Sequence, residues 1–400
     1  MTMPLAGVRV LDLTNVLAGP FCCHQLAHLG ADVVKVEPPG RGDLARQLGA
    51  DAELNERLMG VSFLAQNAGK RSLTLDLKHE RGRDVFLRLA RSADVVVENF
   101  RPGVMERLGL SASTLREANP SLVYAAISGF GQDGPMRCWP AYDQIVQGVS
   151  GAMSVTGTPE TAPLRAGFPL ADTIGGLTAA MAVCAALAAR GPDGTRPGAT
   201  IDVSMLEATL ATMGWAVSNW LVACVEPAPH GNENPTSAPS GTFEAADGPL
   251  NVAANRDEQW TALLGVIDRP ELGGDPRFHT REDRKSNRAA LREALNAVFA
   301  GGTVEDWVER LVAVGVPAGP VLSVRQALES EQVASRGFLA SYPDVAGRTV
   351  RGVRTGVKWD GVAPSVDAPP PTLGQHADAI LAEIGLGPDE IASLREEGVT

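Results

Sequence analysis

Cysteine is scarce in this chain, with five in 400 residues. Cys22 and Cys23 are adjacent, and Cys138, Cys184 and Cys224 lie far apart. That distribution suits neither a disulfide framework nor a zinc-binding set, so reduced, structural thiols are expected. The six histidines, His24, His28, His79, His230, His279 and His376, show no H-E-x-x-H and no Cys-His ligand spacing, and no metal site is read. Basic charge is also in deficit. Lys and Arg number 35 against 47 Asp and Glu, a formal net charge of -12; such an acidic surface argues against nonspecific binding of nucleic acid or an anionic membrane. The longest apolar stretches are broken by Gly, Pro or polar residues before the roughly 20 residues of a membrane helix. Residues 1–12 lack the basic segment and apolar core of a signal peptide, which makes a cytoplasmic protein the expectation.

What is present reads as globular. A hydrophobic fraction of 44% and a charged fraction of 20% rule out wholesale disorder, a collagen-like fibre and a coiled-coil rod. The length allows more than one domain. Residues 8–13 form a short apolar run, 21–29 have helical spacing, Gly30 suits a left-handed helix end, and 32–37 are β-branched. This is a βαβ unit. Further runs at 94–98, 122–127 and 200–203, separated by helical segments, predict a parallel sheet with helices on its faces. Long helices are predicted at 173–189 and 205–225. A Pro, Asn, Ser and Gly-rich stretch at 227–241 then marks a boundary. Beyond it a strand at 250–253 and helices at 258–267, 287–299 and 304–314 predict a smaller α+β domain. A Pro-rich, extended segment at 362–371 precedes two terminal helices. The expected layout is a Rossmann-like α/β domain from 1–225 and 325–400, with a small α+β domain at 226–324.

Four features bear on chemistry. The turn at 14–20 holds a single Gly and cannot supply the three close approaches of a G-x-G-x-x-G loop, so dinucleotide binding, with Glu37 as the ribose acid, is a minor reading. Asp172 follows Phe168-Pro169-Leu170 and opens a helix with Gly175 and Gly176. At that position its carboxylate can cap the helix, or stand ionised at the positive end of the dipole as a nucleophile. The glycine-rich loop at 128–135 follows a predicted strand, where α/β sheets place ligand loops. Tyr142 and Asp143 come soon after it. Lys70, Arg71, Arg101, Arg107 and Arg137 could together hold a phosphorylated ligand.

Nine segments together resemble the class III CoA-transferase, or CaiB/BaiF, family. They are LAGVRVLDL at 5–13, AGP at 18–20, LGADVVKVE at 29–37, NAGKRS at 67–72, VENFRPG at 97–103, GFGQDGP at 129–135, the Asp172 segment, GVPAGP at 315–320 and LGQH at 373–376. The resemblance implies that Asp172 attacks an acyl-CoA thioester to form a mixed anhydride and then an aspartyl-CoA thioester, moving CoA to a small carboxylic acid. It implies CoA contacts at Val16, Leu17, Ala18, Leu75, Lys78, Asn99, Phe100, Arg101, Arg107 and Tyr142. It also implies an interlocked homodimer, with active sites between the large domain of one chain and the small domain of the other. Leu17 stands where formyl-CoA:oxalate transferases carry Gln, so a dicarboxylate-type transferase, with succinyl-CoA as a candidate donor, is expected rather than a formyl-CoA:oxalate enzyme. The polar loop at 230–236 points the same way. The family includes α-methylacyl-CoA racemases, the alternative reading, but Tyr142 occupies the place of their His base.

Overall fold

The computed structural model describes residues 3–189, 195, 197–343, 347–364, 366 and 368–400. Residues 1 and 2 of the N-terminal stretch, and 365 and 367 of the Pro-rich one, lie outside the described residues. Internal contacts divide the chain into two units: Met1–Ala152, Arg165–Val225 and Gln332–Thr400 in the first, Met153–Leu164 and Glu226–Glu331 in the second.

The first unit is built on six parallel strands: β1 (Arg9–Asp12), β2 (Asp32–Glu37), β3 (Arg71–Thr74), β4 (Val95–Glu98), β5 (Val123–Ser128) and β6 (Ala199–Ser204). Their spatial order is β3-β2-β1-β4-β5-β6. Successive strand residues point to opposite faces, and both faces are covered. Val95 and Val97 enter one core with Val10, Val33 and Ala125, while Val96 enters the other with Leu11, Val34 and Tyr124. Two-sided burial is why the central strands β2, β4 and β5 are largely continuous apolar runs rather than alternating ones. Strand β3 was not anticipated: it lies at the sheet edge, is four residues long and has only Leu73 as a large apolar side chain.

Five helices matter for the site: α1 (Ala18–His28), α2 (Asp143–Val149), α3 (Leu170–Ala188), α4 (Met205–Thr212) and α5 (Trp215–Ala223). Cys22, Cys23 and Leu26 of α1 share a core with Ala171, Ala179 and Val183 of α3. By length and composition α3 is apolar enough to cross a membrane, which corrects the expectation that no stretch reaches that size. Its small residues Gly175, Gly176, Ala179 and Ala180 are buried within the first unit. The single helix expected at 205–225 is two, broken at Gly214, whose φ is +46°. All five cysteines are free thiols. A hairpin of β10 (Leu339–Pro343) and β11 (Thr349–Val353) was also unforeseen.

The second unit holds an antiparallel sheet ordered β7-β8-β9, from Ser240–Glu244, Pro249–Ala253 and Ala318–Pro320. Helices Asp257–Ile267, Arg288–Phe299 and Val304–Ala313 close its core of Phe243, Trp260, Leu295, Phe299 and Trp307.

Candidate active site

The strand order reverses between β1 and β4. In open α/β sheets, ligands bind outside the carboxyl ends of the strands at such a point. A cleft of about 470 Å³ opens here, lined by Thr14 and Asn15 after β1, Glu37, Arg41 and Gln47, Leu75 and Lys78 after β3, and Phe100 after β4. Glu37 is not a free ribose acid. It is 2% exposed and grips Arg46 with both oxygens, at 2.6 Å from Nε and 2.8 Å from Nη2. Ser72 Oγ and the Asp43 N–H also donate to it, at 2.7 and 3.0 Å. The dinucleotide reading therefore loses its acidic residue as well as its glycines.

The turn from β1 into α1 is held at Asn15 and Val16. Asn15 N–H donates to Asn99 Oδ1 and Asn99 Nδ2 donates back to Asn15 O, both at 2.8 Å. Val16 has a φ of +67°, a left-handed conformation that costs a β-branched side chain about 1–3 kcal/mol. Its N–H donates to Asp43 Oδ1 at 2.9 Å. Beneath the turn, Lys70 Nζ donates to Asp12 Oδ2 at 2.8 Å and to Pro20 O at 3.0 Å. Burial pushes the Asp12 carboxyl up, but Lys35 and Lys70 outweigh it and hold the group below its usual range. The first helical bond of α1 runs from Phe21 N–H to Leu17 O. Ahead of it, the N–H groups of Leu17, Ala18 and Gly19 have no acceptor among the described residues.

Of the residues the resemblance assigned to CoA, Leu75, Lys78 and Phe100 line the cleft. Val16, Leu17 and Ala18 continue the turn that forms its wall, and Asn99 buttresses that turn. Glu98 secures the Phe100 side: it accepts from Phe100 N–H at 2.7 Å and Tyr124 OH at 3.1 Å, and burial raises its carboxyl to about 7. Arg101 and Arg107 are exposed beyond β4 and carry no ion pair among the described residues. Tyr142 is 68% exposed and does not line the cleft. Two members of the basic set are already engaged. Lys70 is buried against Asp12, and Arg71 pairs with Asp32 at 2.6 Å and Glu383 at 2.7 Å, so neither is available to a phosphate. Arg41, which the sequence reading passed over, lines the cleft instead.

Asp172 lies in the first turn of α3, but it does not cap the helix. Asp143 does. Its Oδ1 accepts from Ala171 N–H at 2.8 Å and Asp172 N–H at 3.4 Å, and its Oδ2 takes Gln147 Nε2 at 2.7 Å. Gln147 Oε1 in turn accepts from Ala166 N–H at 2.9 Å, so α2 fixes the chain leading into α3. The Asp172 carboxyl is left half-buried, with no hydrogen bond or ion pair among the described residues. Burial, and then the neighbouring Asp143 charge, raise it to about 7. This corrects the expectation of a fully ionised group resting on the helix dipole: Asp143 takes that position, and Asp172 is held near its titration point. One turn on, on the same face of the helix, Gly176 lets α1 come close. A Cβ built there would stand 2.5 Å from Ala18 O. Gly176→Ala is accordingly expected to force the two helices apart and cost about 1–3 kcal/mol, read as a fall in the urea midpoint.

The glycine loop after β5 is pinned rather than loose. Gly131 N–H donates to Ser128 Oγ and Gln132 N–H to Asp202 Oδ2, both at 2.9 Å. Phe130 meets Trp139 edge-on at 6.2 Å.

The first unit thus combines a doubly wound sheet, a cleft at its switch point and, outside the residues lining that cleft, an Asp172 carboxyl with no partner among the described residues. Comparison specifies the class: the chain matches CoA-transferase family III over residues 5–377, belongs to that family and is a CoA-transferase. It is 43% identical to acetyl-CoA:oxalate CoA-transferase of Acetobacter aceti over 84% of this chain and 85% of that one. To succinate–glutarate CoA-transferase of Agrobacterium fabrum it is 35% identical, over 95% of this chain and 96% of that one. A CaiB/BaiF family protein from Brucella suis has the same fold, with a TM-score of 0.83 at 34% identity, covering 96% and 100% of the two chains.

Proposed function

We propose that this protein moves CoA from an acyl-CoA, with succinyl-CoA the leading donor, to a small dicarboxylic acid, with Asp172 as the covalent relay. The observation that carries this is the state of the Asp172 carboxyl: half-exposed and without a partner among the described residues, with the cap position taken by Asp143. An Asp172 oxygen attacks the thioester carbonyl, the C–S bond breaks, and the CoA thiolate leaves a mixed anhydride. The thiolate attacks the aspartyl carbonyl and releases the donor acid, leaving an aspartyl-CoA thioester. The acceptor carboxylate attacks that thioester and frees the thiolate, which then takes the acceptor's acyl carbon and restores Asp172. Each addition places charge on an oxygen, and the free N–H groups at Leu17, Ala18 and Gly19 are suited to receive it. Leu75, Phe100, Lys78 and Arg41 fit the CoA nucleotide, two as apolar wall and two as cations.

Matching donors (succinyl-, acetyl- and formyl-CoA) against short mono- and dicarboxylates, with the new thioester read by mass, tests this. Transfer to a dicarboxylate is expected, and hydrolysis alone would defeat it. The Acetobacter relative's name returns oxalate to the acceptor panel, although Leu17 argued against it.

The charge state adds a pH prediction. With Asp172 at about 7, kcat/KM should rise with pH through an acid limb near neutrality as the nucleophile loses its proton. Asp143→Asn removes the like charge and keeps an acceptor for the helix N–H groups, so the limb should move to lower pH. A limb that stays in place or moves up would show that Asp143 does not act on Asp172.

A homodimer belongs to the same reading. No residue of α5 is buried, and its Trp215, Trp220, Leu221 and Val222, like Leu177 and Met181 of α3, stand exposed, large apolar side chains that a second copy of the chain would cover. Light scattering should give twice the 41.9 kDa chain mass, and Trp220→Glu should weaken the assembly. The five free thiols accord with a reducing cytoplasm.

A further inference from the structure

We infer that Lys35 and Asp43 form a buried clamp whose task is to hold Val16 in its left-handed conformation, making both positioning residues for the acyl-CoA. Three observations meet at this point. Val16 occupies φ +67°, a region that a β-branched residue does not hold without restraint. Its N–H is bound at 2.9 Å by Asp43 Oδ1, which also takes Ala45 N–H at 2.9 Å. Asp43 Oδ2 is 2.9 Å from Lys35 Nζ, and both side chains are wholly inaccessible. Lys35 reaches the turn directly as well, donating to Thr14 O at 2.9 Å. One ammonium therefore holds the carbonyl two residues before Val16 and the acid that holds its amide.

A pair this deeply buried is not a strong source of stability, because desolvation offsets most of its attraction. What it supplies is direction. Asp43 has a single arrangement that serves both Lys35 and the Val16 amide, and Val16 turns the chain so that Leu17 opens α1 with its first N–H groups unbonded. With the clamp released, Val16 returns to negative φ and those groups lose their setting.

The inference rests on the CoA-transfer reading for its purpose, but not for its test. Hydrogen exchange of the peptide spanning 13–21 reads the clamp with no ligand present, while calorimetry with free CoA and steady-state transfer read its effect. Asp43→Asn is compared with its parent in the Val16 background and again in a Val16→Gly background, because glycine adopts φ +67° without restraint. Asp43→Asn is expected to speed exchange at Val16 and Phe21, two of the bonded amides of that peptide, and raise the acyl-CoA KM about tenfold with Val16 present, and less than threefold with glycine there. Equal losses in both backgrounds, or unchanged exchange, would overturn the clamp. If Asp43→Asn does not fold, Val16→Pro carries the test: it has no N–H and cannot reach positive φ, and the same rise in KM and in exchange at Phe21, whose N–H makes the first helical bond, is expected, while wild-type values would count against the inference. A wild-type protein that shows the exchange pattern but transfers no CoA would defeat the functional reading and leave the clamp standing.

Discussion

Asp172→Ala is expected to lower acyl transfer by about 10³-fold or more, the scale on which a covalent nucleophile is lost; this corresponds to roughly 4 kcal/mol of barrier at 1.36 kcal/mol per factor of ten. The size follows from what surrounds the side chain. Asp143 already satisfies the N–H groups at the start of α3, so removing Asp172 breaks no cap and leaves no buried donor unpaired. The loss should therefore fall on chemistry, with the urea midpoint close to that of the wild type. The intermediate gives a second readout. Wild-type protein held with acyl-CoA and hydroxylamine should carry a hydroxamate on the peptide containing Asp172, absent from the alanine variant. An alanine variant that transfers CoA at the wild-type rate would remove the covalent relay.

The parts legible in the sequence were those written as local pattern. Two-sided burial made β1, β2, β4 and β5 apolar runs; of the two edge strands, β6 kept a readable pattern and β3 escaped because it is only four residues long with one large apolar side chain. The break at Gly214 was hidden inside a largely apolar segment, since hydrophobicity does not report a change of φ. Asp172 stood out because two glycines follow it inside a helix, but an acid at a helix start is also a common cap, and the sequence did not show that Asp143 takes that place.

What could not be read was pairing across distance. Lys70 and Arg71 looked like phosphate ligands because nothing near them in sequence neutralises them; their partners are Asp12, 58 residues away, and Asp32, 39 residues away. Asp143 stood next to Tyr142 in plain view, but its role depends on α2 reaching the start of α3, 28 residues on. The Val16 conformation left no mark at all, since a valine in a turn gives no signal of positive φ. In each case the missing information is which charge another segment has already neutralised, and that decides which side chains remain free to work.

The same principle predicts the largest stability effect. Arg46→Leu should cost about 3–5 kcal/mol, the range for breaking one side of a buried ion pair. Arg46 is 0% exposed and joins three distant segments: Glu37 through two bonds, Leu58 O at 3.0 Å and Pro371 O at 3.2 Å. Its guanidinium also lies 3.7 Å from the centre of the Phe63 ring. Leucine fills much of the volume but leaves the Glu37 carboxylate buried with only Ser72 Oγ and the Asp43 N–H as donors. The unpaired charge, rather than lost packing, should dominate. Adding Glu37→Gln to Arg46→Leu removes that charge, so the double variant should be more stable than the single one, although it has lost more native contacts. Urea unfolding followed by circular dichroism orders the three proteins. A double variant weaker than Arg46→Leu would mean that the pair stabilises by attraction, not that its breakage is costly through an abandoned charge.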